Sequence, residues 1–211
     1  MLQTDEKGLK KTPLYDYYLE KGVTLTDFGG WALPIQFTKI VDEHKAVRES
    51  VGLFDVAHMG EIRITGDRAI EFVNSVITND ASTLGNNQAM YTAITNEEGG
   101  TLDDVIFYKR TDDFITFTPN AGNTEKILNW FNQHNKEGMV TIEDLTAEFG
   151  LIALQGPNAE AVLEKLTDAD LPNLKTYHYL PEQTVAGVSP VAISRTGYTG
   201  EEGFELYVPF D

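Results

Sequence analysis

The sequence predicts an α+β fold of two similar units, and three observations lead there. Apolar residues recur at helical spacing in some stretches and alternate as in strands in others. Glycine-containing turns separate the strand-like runs. Finally, IRITGDRAIEFVNSVITND, from Ile62, returns without a gap as IALQGPNAEAVLEKLTDAD, from Ile152, an offset of 90 residues.

In chain order, Thr38 to Ser50 carries Ile40, Val41, His44 and Val47 on one helical face, continued by Val51. Strands are expected over Glu61–Thr65, Ala89–Thr95, Thr101–Lys109 and Phe114–Thr118. A second helix is expected over Asn123–Lys136, where Ile127, Leu128, Trp130 and Phe131 share a face. Further strands follow at Gly150–Leu154, Pro190–Arg195 and Phe204–Val208.

The repeat pairs Gly66 with Gly156, Ala69 with Ala159, Phe72 with Val162, Val73 with Leu163, Val76 with Leu166 and Asp80 with Asp170. Each copy reads as strand, glycine turn and a helix opened by Asp67 or Pro157. Two units over 1–140, with an N-terminal extension, and 141–211 are therefore expected, packed with approximate twofold symmetry. A cleft between such units is a common ligand site. Adding the offset to FTPNAGNTEKIL reaches YVPFD at the end of the chain, so the second unit is expected to lack its closing helix.

Composition removes several function classes. With 33 acidic against 16 basic residues the net charge is −17, and no basic block opposes it, which argues against nucleic-acid binding. No apolar run is long enough to span a bilayer, and MLQTDEKGLKK lacks the apolar core of a secretory signal, so a cytoplasmic, non-membrane protein is expected. The absence of cysteine excludes disulfides, thiolate nucleophiles and cysteine-based metal sites.

The most informative chemistry lies in GGTLDDVIFYKR, Gly99 to Arg110. Strand alternation puts Asp104 with Leu102, Ile106 and Tyr108, and Asp103 with Val105, Phe107 and Lys109. A carboxylate held on an apolar face is a candidate general base, and either aspartate qualifies. The alternative is that both simply end a hairpin by accepting nearby backbone amides. Asp55 and His58 in FDVAHMGE have metal-ligand spacing, but with four histidines and no second ligand pair no metal is expected. In SRTGYTGEEGFELYV three glycines surround Tyr198 ahead of Glu205. That turn lacks the lysine of a P-loop and the strand, turn and helix order of a dinucleotide site. A flat polar heterocycle fits better, with Tyr91, Tyr108 and Tyr198 as aromatic walls and a carboxylate accepting its N–H groups.

Taken in order, DFGGWALPIQF, FDVAHMGE, GGTLDDVIFYK, NAGNTEK, ALQGPNAEAVL and SRTGYTGEEGFELYV resemble the aminomethyltransferases, the T-proteins of the glycine cleavage system, from Thr12 to Asp211. The resemblance implies the two-unit folate-binding fold, with the family's third domain absent. It implies transfer of the methylene of an aminomethyl group, carried on the lipoyl arm of H-protein, to tetrahydrofolate with release of ammonia. Asp104, the second aspartate of the GG-x-x-DD motif, is then the expected catalytic residue, facing inward because the first unit contributes it to the floor of a folate pocket. Asp103 is left with a supporting or solvent-facing role. Glu205, in GFEL, is expected to bind the pterin, and Met59, Tyr91, Tyr108, Asn120 and Tyr198 match further folate-pocket positions. Two departures stand out: Ala57 replaces the usual serine before His-Met-Gly, and Thr118-Pro119 precedes Asn120 where small apolar residues are usual. The competing readings are a folate-binding module without transfer, an inactive fragment, or an acidic interaction domain.

Overall fold

A computed structural model describes residues 2–210 of the chain, so the outer limits of the expected segments, Met1 and Asp211, lie outside the described residues. The elements in order are β1 (Lys10–Lys11), α1 (Tyr15–Glu20), β2 (Leu25–Phe28), β3 (Trp31–Pro34), α2 (Ile40–Glu49), β4 (Gly52–Asp55), β5 (Ile62–Thr65) and α3 (Ala69–Val76). They continue with β6 (Gln88–Thr95), β7 (Thr101–Thr111), β8 (Phe114–Thr118), α4 (Thr124–His134), β9 (Thr141–Asp144) and β10 (Phe149–Gln155). The last are α5 (Ala159–Leu163), β11 (Tyr179–Val185), β12 (Val188–Ser194) and β13 (Gly203–Pro209). The fold is α+β, and every expected helix and strand is present with ends within a few residues of its predicted limits.

The chain forms two compact units. The first-repeat unit is Met59–Thr146 with Tyr177–Tyr179; the second-repeat unit takes the chain up to His58, Ala147–Thr176 and the chain from Leu180. Each contains a five-stranded sheet, ordered β6-β7-β8-β5-β9 in one and β11-β12-β13-β10-β4 in the other. The two orders correspond strand for strand. The turn after β5 and the turn after β10 also correspond: Gly66 and Gly156 have φ of 136° and 135°, a backbone region that suits glycine.

The division differs from the segments 1–140 and 141–211 because of one strand in each sheet. β9 lies just before the second repeat in sequence, yet it pairs antiparallel with β5, setting Ile62 opposite Asp144. β4 lies just before the first repeat and pairs antiparallel with β10, setting Ile152 opposite Asp55. Each covers the edge of a strand whose N–H and C=O groups would otherwise stay unpaired.

In the first-repeat unit α3 and α4 cover one face of the sheet. The buried positions of α3, Ala69, Phe72, Val73 and Val76, fall on a single helical stripe. Phe131 of α4 meets Phe72 at 5.8 Å and Phe117 at 5.1 Å, both edge-on, and Phe117 stacks on Phe107 at 5.3 Å. In the second-repeat unit Leu154, Leu163, Ile193, Phe204 and Leu206 form the corresponding core. The same unit holds a small sheet ordered β1-β3-β2, in which Gly29 and Gly30, at φ 60° and 87°, make the tight turn between β2 and β3.

Candidate functional site

In the first-repeat unit the two aspartates of β7 alternate between faces with the neighbours expected, but Asp103, not Asp104, is the one turned into the core. Asp103 is 3% exposed and points to the face of Val105 and Phe107, whereas Asp104 lies on the exposed face. The reason is packing: Val105 and Phe107 are the core residues of β7, and Asp103 shares their side of the pleat. A buried carboxylate needs donors, and Asp103 has three. Asn120 donates its backbone N–H at 3.0 Å and its side-chain amide at 2.9 Å, and the Asn123 amide donates at 2.6 Å. Asn123 is a site residue that motif reading passed over. Its signal was present in NAGN, where two asparagines three apart at a helix entrance reach one acceptor.

Asp104 Oδ2 accepts the Tyr91 hydroxyl at 2.8 Å. This hydrogen bond, before all other influences, raises the Tyr91 pKa, so Tyr91 stays a donor. The Asn120 amide also donates to the Asp104 backbone carbonyl at 2.9 Å. Asp104, Tyr91 and Asn120 are thus brought together by β7, its neighbour β6, and the turn after β8. Met59 is half-buried beside this turn, because the N–H of Gly60 donates to Pro119 O at 2.9 Å. A Cβ on Gly60 would come within 2.4 Å of Thr124 Oγ1, so only glycine permits this approach. Pro119 therefore leaves Asn120 firmly anchored. Tyr108 does not join the group: it lies four residues beyond Asp104 along β7, roughly 13 Å away, and its buried ring packs edge-on against Tyr179 at 5.3 Å.

On the same side of the sheet, opposite α3 and α4, sits an unexpected acid. Glu61 precedes β5, is buried, and accepts the Thr118 hydroxyl at 3.2 Å. Burial pushes its carboxyl up to about 8 against the opposing hydrogen bonds of Thr118 and Thr116.

The second-repeat unit holds Glu205 and Tyr198. Glu205 lies on β13 opposite Ala153 of β10 and Ser194 of β12, and accepts the Thr196 hydroxyl. Tyr198 projects from the glycine turn, its ring edge-on to Phe54 at 5.6 Å. Partial desolvation, then the charge of Glu205, pushes its hydroxyl up to about 12. The turn is built around Gln155, which is fully buried. Its amide donates to Thr196 O at 3.2 Å and Phe204 O at 3.4 Å, and its carbonyl accepts the Thr199 hydroxyl at 2.9 Å. A Cβ on Gly197 or Gly203 would lie 2.0 Å or 2.4 Å from this side chain, which accounts for two of the three glycines. Arg48 closes the turn from outside, donating to Thr199 O at 2.7 Å and pairing with Glu201 at 2.8 Å.

Asp55, the candidate metal ligand of this unit, accepts instead from Thr12 at 2.7 Å, Tyr18 at 2.8 Å and the Ala57 N–H at 3.0 Å. The Ala57 contact comes from the backbone and survives the replacement of serine. Burial lowers the pKa of the nearby His58 and so favours its neutral form. No group of three histidine, aspartate or glutamate side chains with a metal-binding arrangement occurs among the described residues, and no helix among them is long and apolar enough to cross a membrane.

A two-repeat α+β chain with these motifs belongs to the GCVT N-terminal domain family, whose model matches residues 14–211. Its relatives include the aminomethyltransferases of Bacillus licheniformis and Bacillus velezensis. Each is 48% identical over 199 residues, covering 94% of this chain and 54% of the relative. The chain therefore spans about half the length of these curated relatives. The crystal structure of glycine cleavage system aminomethyltransferase T from Bartonella henselae superposes with a TM-score of 0.86 at 31% identity, over 95% of this chain and 54% of that one. Heterotetrameric sarcosine oxidase from Corynebacterium sp. U-96 matches at a TM-score of 0.56 and 16% identity, over 80% and 82% of the two chains, a likeness of fold alone.

Proposed function

We propose that this chain is the folate-binding part of an aminomethyltransferase of the glycine cleavage system. The full reaction passes the methylene of the aminomethyl group on the lipoyl arm of H-protein to tetrahydrofolate and releases ammonia. Membership of the family and 48% identity to named aminomethyltransferases support the reaction class. The observation that carries the reading is Asp104: an exposed carboxylate with one oxygen engaged by Tyr91 and no protein partner on the other among the described residues. Such an oxygen can accept the N–H of a bound amine and hold its proton as the nitrogen reacts. Tyr91 fixes the carboxylate plane, and Asn120 adds a second polar contact from the adjoining turn. Glu205 is proposed to accept the paired N–H groups of the pterin, with Tyr198 beside it as an aromatic surface and donor. Tetrahydrofolate would supply the nitrogen nucleophiles that take up the one-carbon unit. The absence of a metal cofactor and a cytoplasmic location complete the proposal.

Calorimetric titration of the chain with tetrahydrofolate under anaerobic conditions tests it. Saturable binding that Glu205→Ala weakens is expected. In an H-protein transfer assay of the active protein, Asp104→Asn should cost about 10²- to 10⁴-fold in turnover, the scale of a lost general base. A folded chain without affinity for tetrahydrofolate would refute the assignment of the pocket to these residues.

A further inference from the structure

Asn120 spends both hydrogens of its side-chain amide inside the protein, one on Asp103 Oδ1 and one on the Asp104 carbonyl, each at 2.9 Å. Reversing the amide would set its oxygen against these two acceptors, which have no hydrogen to offer. The orientation is therefore fixed by chemistry, and the Asn120 carbonyl oxygen is turned away from Asp103. That oxygen has no protein donor among the described residues, and neither has the free oxygen of Asp104. Asp103 is itself held against drift by the Asn120 backbone N–H at 3.0 Å and by Asn123 at 2.6 Å.

We infer that Asp103 is a positioning residue that locks Asn120 as a hydrogen-bond acceptor beside Asp104, so that this edge of the site selects a ligand bearing N–H donors over one bearing acceptor nitrogens. This inference rests on the folate reading above and deepens it. A fully reduced pterin carries hydrogens on ring nitrogens that, in the oxidised ring, are imine-type acceptors. Two adjacent acceptors on the protein match the first and repel the second. The aspartate thought to be spare thus contributes to discrimination by redox state, acting through its neighbour without touching the ligand.

Two measurements test this. In the ligand-free chain, solvent exchange of the Asn120 side-chain amide protons should be slow for both in NMR. A freely exchanging proton overturns the lock regardless of what binds. Affinity is then compared for tetrahydrofolate and folic acid. The parent should prefer the reduced form, and Asp103→Asn, whose amide removes one of the two acceptors that hold Asn120 and leaves only the Asp104 carbonyl, should narrow that preference by up to about tenfold, the scale of one hydrogen bond. The exchanged pair Asp103→Asn with Asn120→Asp restores an outward acceptor and should restore the preference, whereas a merely structural role for Asp103 would leave the ratio unmoved. An unchanged ratio in a folded Asp103→Asn variant overturns the inference. A locked Asn120 in a chain that binds neither pterin overturns the folate reading and, with it, the selection step, while upholding the lock, so the two failures are told apart.

Discussion

Replacing Glu61 by glutamine should make the protein more stable near neutral pH. Glu61 is buried and its carboxyl is pushed from the ordinary 4.5 up to about 8. Between these values the folded chain keeps the proton that the unfolded chain releases, so the stability associated with this group is full at acid pH and declines as pH rises toward 8. Glutamine has nearly the same shape and does not titrate. The unfolding free energy of Glu61→Gln relative to the parent should therefore climb with pH across this window, by up to ~1.4 kcal/mol per unit, or roughly 3 kcal/mol from about pH 5 to about pH 7. Surface charges contribute equally to both proteins and cancel in the difference. Urea unfolding followed by circular dichroism at several pH values gives this difference directly. A difference that stays constant across the window would refute the assignment of a buried, protonated Glu61.

Two further substitutions probe the supports of the candidate site. Gly60→Ala drives a Cβ against Thr124 and Pro119, so urea unfolding should show a loss of about 1–3 kcal/mol, the usual cost of overpacking. NMR shifts should move in the turn that carries Asn120. Gln155→Ala empties the centre of the Tyr198 turn and strands the Thr196 and Phe204 carbonyls. It should cost about 2–4 kcal/mol, and hydrogen exchange should accelerate between Thr196 and Gly203 while β5 stays unchanged.

The regular part of the fold was legible because its residues obey one period each. Phe72, Val73 and Val76 repeat as a helix, the run from Thr101 is dense in strand-forming residues, and the repeat doubled the helical signal. What escaped notice has little period to read. β4 and β9 have four residues each and mostly half-buried or exposed side chains, and β2 and β3 are defined by the paired glycines between them more than by their alternation. The candidate residues were legible as motifs, but the inward direction expected of Asp104 had no support in the pattern. Whether Asp103 or Asp104 faces the core depends on which side α3 and α4 cover, a tertiary fact. The pattern Val105-Ile106-Phe107-Tyr108 is apolar on both sides and does not reveal it. Glu61 was invisible for the related reason that its neighbours lie far away in sequence, Thr118 by 57 residues, and adjoin it only through the pairing of β5 with β8.

The exchange of edge strands makes a final prediction about where the chain can be cut. A cut after residue 140, where the repeat offset alone would place it, keeps β5 but removes β9, and with it the pairings of Ile62 with Asp144 and Ile64 with Ile142. It also removes Thr146, whose hydroxyl accepts the Glu61 N–H. The same cut leaves β4 without β10. The shorter segment 59–146 keeps all five strands of the first-repeat sheet and its whole buried core from Ile62 to Val140. Both segments lack Tyr177–Tyr179, so that loss cancels between them. Although it has fewer residues, 59–146 should therefore unfold cooperatively and protect the Ile62–Thr65 amides from exchange. The segment 1–140 should expose these amides at a cost of roughly 2–4 kcal/mol for the lost ladder. Equal protection of Ile62–Thr65 in the two segments would mean that β9 is dispensable to the sheet edge, and that the sequence repeat, not the strand exchange, sets the folding unit.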